Sequence, residues 1–242
     1  MGMVERGFTI IEVMLFLGIT GVLFAALMIG VNSNLTQQRY RDGVIEYSSL
    51  LKNQYSEVLN TQNARTIGEC ASNGVIDPNA PTAQTSGTSQ CVLLGRAVQV
   101  EDNGTSVKIS NVVGLDNNTL DFSSDDVSAL KSYAPKVTTI DEEKDSLGWG
   151  TTLYAKDSSV SQASVLILRS PVSGLIKVFW SPRPLTSNID ISSMNTDLLK
   201  YCVRGDAVFL PVQSVSIDPS VAGASGVTVM DADPDCVHHG GV

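Results

Sequence analysis

The sequence predicts an α+β fold: a long N-terminal α-helix, membrane-spanning in its first half and amphipathic in its second, packed on a globular domain of mainly antiparallel β-sheet. Three observations carry that expectation. Residues 13–31 are apolar and uncharged, and residues 40–62 repeat large apolar side chains every three or four positions. Beyond Gly68 the pattern changes to short apolar runs separated by clusters of Gly, Asn, Asp, Ser and Pro. At 242 residues the chain can bury one sizeable core, and nothing in it demands two comparable domains.

The first half of the helix rests on Val13 to Val31, whose 19 residues include a single hydroxyl, on Thr20. At about 1.5 Å per residue they extend roughly 28 Å, close to the ~30 Å hydrocarbon core of a bilayer. A secretory signal would place its apolar stretch before a small-residue cleavage site. Here the order is reversed: the charged start Met1-Gly2-Met3-Val4-Glu5-Arg6 ends in Gly7, the apolar segment begins at Phe8, and no such site follows. Glu12 is a lone carboxylate one helical turn after Phe8. An acid inside a bilayer costs a few kcal/mol, so it is expected to be paired and functional.

Gly7-Phe8-Thr9-Ile10-Ile11-Glu12 resembles the prepilin signal, for N-terminal cleavage and methylation, of type IV pilins and type II secretion pseudopilins. The resemblance covers about 25 residues and implies residues 1–7 as a leader, cut by a membrane prepilin peptidase between Gly7 and Phe8. The new N-terminal Phe8 would be methylated, and residues 8–31 would be the transmembrane and assembly helix. Glu12 would neutralise the α-amine of Phe8 on a neighbouring subunit. The implied partners are other pilin or pseudopilin subunits, the peptidase, the inner-membrane assembly machinery and the membrane itself. The implied location is a single-pass membrane protein with an exported C-terminal domain, and after assembly a cell-surface pilus or pseudopilus.

Residues 32–66 are expected to continue the helix, since no proline precedes Pro78. Tyr40, Val44, Tyr47, Leu51, Tyr55, Val58 and Gln62 form one stripe that would pack on the following domain. Some 55 residues would extend about 80 Å, similar to the pilin spine, with Gly18, Gly21, Gly30 and Gly43 available to soften it. The proline that many pilins carry there is absent, so no kink is assigned.

Residues 67–242 read as the exported β-rich domain. Strands are expected at Cys91–Val100, Thr105–Val113, Thr151–Ala155, Ser164–Arg169 and Leu175–Trp180, with a hairpin over Pro171–Gly174. Shorter ones are expected at Tyr201–Val203, Ala207–Leu210, Val215–Ile217 and Gly226–Met230, and Asp77–Gln90 reads as a loop. The runs Gly95–Val98, Val165–Leu168 and Gly174–Val178 resemble H-type minor pseudopilins and their pilus counterparts. Some of that group bind DNA, but 16 basic against 25 acidic groups, a net charge of -9, oppose phosphate binding.

All four cysteines, Cys70, Cys91, Cys202 and Cys236, follow the apolar segment and therefore share a compartment. Their even number suits an exported domain with two disulfides, in any of three connectivities. Neighbour pairing, Cys70 with Cys91 and Cys202 with Cys236, is favoured because each bridge would staple a turn-rich loop, at roughly 3–4 kcal/mol.

No hydrolase elbow, phosphate loop or dinucleotide fingerprint is present, which points away from an enzyme and from any cofactor. His238 and His239 sit in a C-terminal tail, poor placement for a catalytic base. Asp231, Asp233 and Asp235 alternate beside Cys236, a calcium candidate that lacks the turn glycine and distant glutamate of a calcium loop. Arg204-Gly205-Asp206 matches an adhesion tripeptide that recurs by chance. The functional expectation is a filament subunit, a minor pilin or pseudopilin by its length. The alternatives are a major pilin, a DNA-capturing minor pilin or an uncleaved membrane-anchored adhesin.

Overall fold

The computed structural model describes residues 9–60, 69–71, 76–77, 89–116, 125–155, 162–205 and 212–236. The chain divides into two compact units, residues 1–41 and 42–242. One 50-residue helix, α1 (Ile10–Leu59), contributes to both.

In the first unit α1 is apolar all round from Val13 to Val31, and its large residues from Ile10 to Val31 are exposed. Its polar side chains turn back on the helix. The Thr20 hydroxyl donates to the Phe16 carbonyl at 2.7 Å, Asn34 to Gly30 at 3.0 Å and Thr36 to Asn32 at 2.9 Å. Such internal satisfaction is what hydrocarbon demands of a polar group.

In the second unit the expected stripe is core: Val44, Tyr47, Leu51, Tyr55 and Val58 are each at most 1% exposed. Tyr40 belongs to the first unit, where it is buried, and Gln62 lies outside the described residues. The described helix runs to Leu59, with the Asn60 N–H donating to Ser56 O at 2.9 Å, and residues 61–66 of the expected helix lie outside the described residues.

Strands β1 (Glu69–Cys70) and β2 (Ile76–Asp77) form a small antiparallel pair. A five-stranded antiparallel sheet comprises β3 (Cys91–Glu101), β4 (Ser106–Leu115), β5 (Lys136–Ser146), β7 (Ser164–Arg169) and β8 (Ile176–Ser181), in the order β5-β4-β3-β7-β8. A four-stranded sheet orders β11 (Val227–Met230), β10 (Gln213–Ile217), β9 (Leu199–Arg204) and β6 (Thr152–Ala155). The Pro171–Gly174 hairpin joins β7 to β8, closed by Ser170 N–H donating to Leu175 O at 2.8 Å. The runs Gly95–Val98 and Val165–Leu168, and all of Gly174–Val178 but its first two residues, fall on the adjacent strands β3, β7 and β8. The expected strand Ala207–Leu210 and residues 78–88 of the expected loop lie outside the described residues.

Both sheets meet the second half of α1. Along β3 alternate side chains face opposite ways. Arg96 pairs with Glu57 of α1 at 2.6 Å, whereas Ala97 joins Leu94, Val112, Leu166, Leu168 and Phe179 on the other face. That second face is closed by Leu130 of helix α2 (Asp126–Ser132) and by Tyr133 and Ile191. In the other sheet Tyr201 of β9 meets Tyr47 of α1 edge to face, ring centres 5.6 Å apart. Burial drives the Tyr47 and Tyr201 hydroxyls well above their usual pKa. It takes Tyr55 to about 12, the charge of Asp218 adding to the effect.

Gly43 is a point of close approach rather than a softener: a Cβ there would lie 2.9 Å from Thr151 Cγ2. β1, β2, α2 and β5 were not expected, and Asp77, read as the start of a loop, belongs to β2. α2 is started by Asp125, whose carboxylate accepts from the N–H groups of Val127 and Ser128. β5 is an edge strand whose second half, Asp141–Ser146, is charged or polar and exposed. Those charges guard the edge against further pairing, and they mask the apolar alternation by which a strand is recognised in sequence.

Candidate functional site

The residues with the strongest chemical expectation lie at the start of α1. Thr9 precedes its first residue, and the Glu12 N–H donates to Thr9 Oγ1 at 3.3 Å and to Thr9 O at 3.1 Å. Thr9 therefore caps the helix, and Thr9-x-x-Glu12 has the spacing of a capping box. That signal was available in the sequence and gives Glu12 a local reason to exist. The Glu12 carboxylate is exposed in the first turn, where the helix dipole favours a negative charge. Gly7 and Phe8 lie outside the described residues.

From this start, α1 is long and apolar enough to cross a membrane, with a mean hydropathy of 2.4 over its best window and none of that window buried. Phe16, Phe24, Leu27 and Met28 are all about two-thirds exposed, between 64% and 71%. An apolar surface that encircles a helix, rather than striping it, requires an apolar surround such as lipid or other apolar helices. Glu12 is the one acid within its first two turns.

The cysteines are joined Cys70 to Cys91 and Cys202 to Cys236, with Cα atoms 5.5 and 5.6 Å apart. Neighbour pairing is thus the connectivity adopted. Cys91 packs with Val113, Leu93 and Ile140, and Cys202 and Cys236 with Val212 and Tyr154, so each bridge sits in its own apolar cluster.

Of the three aspartates of the calcium candidate, Asp233 and Asp235 meet at one ammonium and Asp231 is engaged elsewhere. Asp231 accepts a hydrogen bond from Gln213. Asp233, with no side-chain exposure, accepts from Ser214 and pairs with Lys200 at 2.9 Å. Asp235 pairs with the same ammonium at 2.8 Å. Burial pushes the Asp233 carboxyl up, but the bonds from Ser214 and Lys200 prevail and hold it below its ordinary value. Asp235 and Asp233 together raise Lys200. The loop already has its cation, and among the described residues no three carboxylate, imidazole or thiol groups could hold a metal. Lys200 could not be found from sequence, because strand pairing alone brings it to a loop more than thirty residues on.

Arg204 ends β9 with its guanidinium 5.6 Å from the centre of the Tyr154 ring. Asp206, His238 and His239 lie outside the described residues. Comparison with protein-family models, curated proteins and solved structures gives no match.

Proposed function

We propose that the chain is a type IV pilus-like filament subunit, a minor pilin or pseudopilin, anchored and assembled through the first half of α1. The observation that carries this reading is a helix apolar all round that holds one acid in its first turn, five residues after Gly7. In it, prepilin peptidase cuts after Gly7 and frees the α-amine of Phe8. The Phe8–Val31 helix then leaves the bilayer and packs among those of other subunits. Glu12 of one copy meets the Phe8 amine of another, since a charge in an apolar bundle is tolerated when an opposite charge answers it. The domain from residue 67 onward is exported, which suits two disulfides.

Loss of one partner from a buried pair costs about 3–5 kcal/mol. Glu12→Ala should therefore enter the membrane normally and be almost excluded from filaments, as read by sheared-filament yield against membrane-bound protein. Normal incorporation would refute the pairing. The Thr9 cap supports a rival reading, an uncleaved membrane-anchored binding module in which Glu12 serves only its own helix. In that case Thr9→Ala and Glu12→Ala would have equal, modest effects, about 1 kcal/mol of helix stability each. Abundance in sheared filaments separates a minor from a major subunit.

A further inference from the structure

Residues 101–105 read Glu-Asp-Asn-Gly-Thr. They contain the N-glycosylation triad Asn-x-Thr, with an acid two positions before the asparagine, the stricter form that one class of oligosaccharyltransferase requires. Two other triads exist, Asn34-Leu35-Thr36 and Asn117-Asn118-Thr119, and the residues two positions before them are Asn32 and Leu115. Asn34 is inside α1 with its amide nitrogen committed to Gly30 O at 3.0 Å. Asn117 lies outside the described residues.

Asn103 is placed very differently. It stands at the apex of the β3–β4 turn with φ 56° and ψ 35°, and its side chain is exposed. No hydrogen bond engages its amide among the described residues, while the residues around it are fixed. Thr105 Oγ1 donates to Asp102 O at 2.8 Å, and the Asp102 carboxylate accepts from Ser106 at 2.7 Å and pairs with Lys144 at 2.8 Å. Gly104 has φ 89° and abuts β6 so closely that a Cβ would lie 2.2 Å from Leu153 O. The turn thus presents one free carboxamide on a held backbone. Glu101 pairs with Lys108 at 2.8 Å, a surface contact that exchanges readily with another partner.

We propose that Asn103 is an N-glycosylation site of the exported domain, taking an oligosaccharide from a polyisoprenyl-diphosphate carrier. In the transfer, Asn103 Nδ2 forms a bond to the anomeric carbon, the bond from that carbon to the diphosphate oxygen breaks, and the polyisoprenyl diphosphate departs. The amide gives up one proton to the transferase. This inference rests on the export of residues 67–242 argued above.

The test is co-expression of the full chain with an acid-requiring oligosaccharyltransferase and its lipid-linked oligosaccharide, followed by intact mass, peptide mapping and thiol counting. The expected result is one added glycan on the Asn103 peptide, lost in Asn103→Asp and Thr105→Ala, retained in Thr105→Ser and diminished in Glu101→Gln. Aspartate also accepts the left-handed turn, so Asn103→Asp keeps the fold while removing the acceptor nitrogen. Protein with both disulfides formed and no glycan, or with the glycan on Asn34 or Asn117, overturns the proposal alone. Free thiols together with no glycan overturn the export reading and this site with it.

Discussion

Within one helix, residues 13–31 and 44–58 are both rich in large apolar side chains, yet their surroundings are opposite. Leu23 and Phe24 are exposed, whereas Leu51 and Tyr55 have no exposure at all. The difference lies in arrangement. In the first segment apolar residues fill every position of the turn, so no single packed face could cover them. In the second they recur at three and four, with Glu46, Lys52 and Asn53 between, so two sheets cover the stripe and water takes the rest. The chain thus carries one apolar surface that is buried in its own domain and one that is exposed among the described residues.

Truncation is the sharpest way to separate the two. Leu51→Ala should cost about 2–5 kcal/mol of domain stability, because it empties a fully buried site. Leu23→Ala should change the melting of the detergent-solubilised chain by no more than about 0.5 kcal/mol. Equal losses would mean that the first segment is also packed on its own domain.

Breaking a disulfide should act on the domain only. Cys202→Ala, opening the 34-residue separation to Cys236, is expected to cost roughly 3–4 kcal/mol in denaturant unfolding. Far-UV circular dichroism should retain the helical signal of the first segment.

Glycines sharpen the contrast further. Gly43→Val drives a Cβ toward Thr151 and should destabilise by about 1–3 kcal/mol in thermal melts. At Gly21 a Cβ meets nothing within 4 Å, so Gly21→Val should leave the melting temperature unchanged.

The smallest effect is electrostatic. Bonds from Ser170 and Ser173, with the nearby Lys177, hold the Asp126 carboxyl at about 2. Its folded pKa lies below its unfolded value, so its contribution is complete above about pH 4 and fades as pH falls toward 2. Asp126→Asn should flatten the pH dependence of melting in that window, by about 1 kcal/mol or less for so exposed a pair.

The helix, its two regimes and most strands were legible because period and composition are local properties. Ser164–Arg169 was readable to the residue, being a short apolar run between polar ones. β5 was not, since an edge strand is stabilised by a neighbour's backbone and tolerates charges that resemble a loop. α2 was missed because seven residues leave too short a period to detect. At the candidate sites, the acids of the C-terminal loop could be read but their answering cation could not. Lys200 reaches them through the β9–β10 pairing and not through any spacing in the chain. The Thr9 cap was missed, although its three-residue spacing to Glu12 was the signal that could have shown it.

The most direct test of the account is N-terminal sequencing and intact mass of the protein extracted from membranes of its own cells. A chain beginning at Phe8, with its amine methylated and residues 1–7 gone, is the predicted result. A chain beginning at Met1 would leave Glu12 without the neighbouring amine and contradict the account.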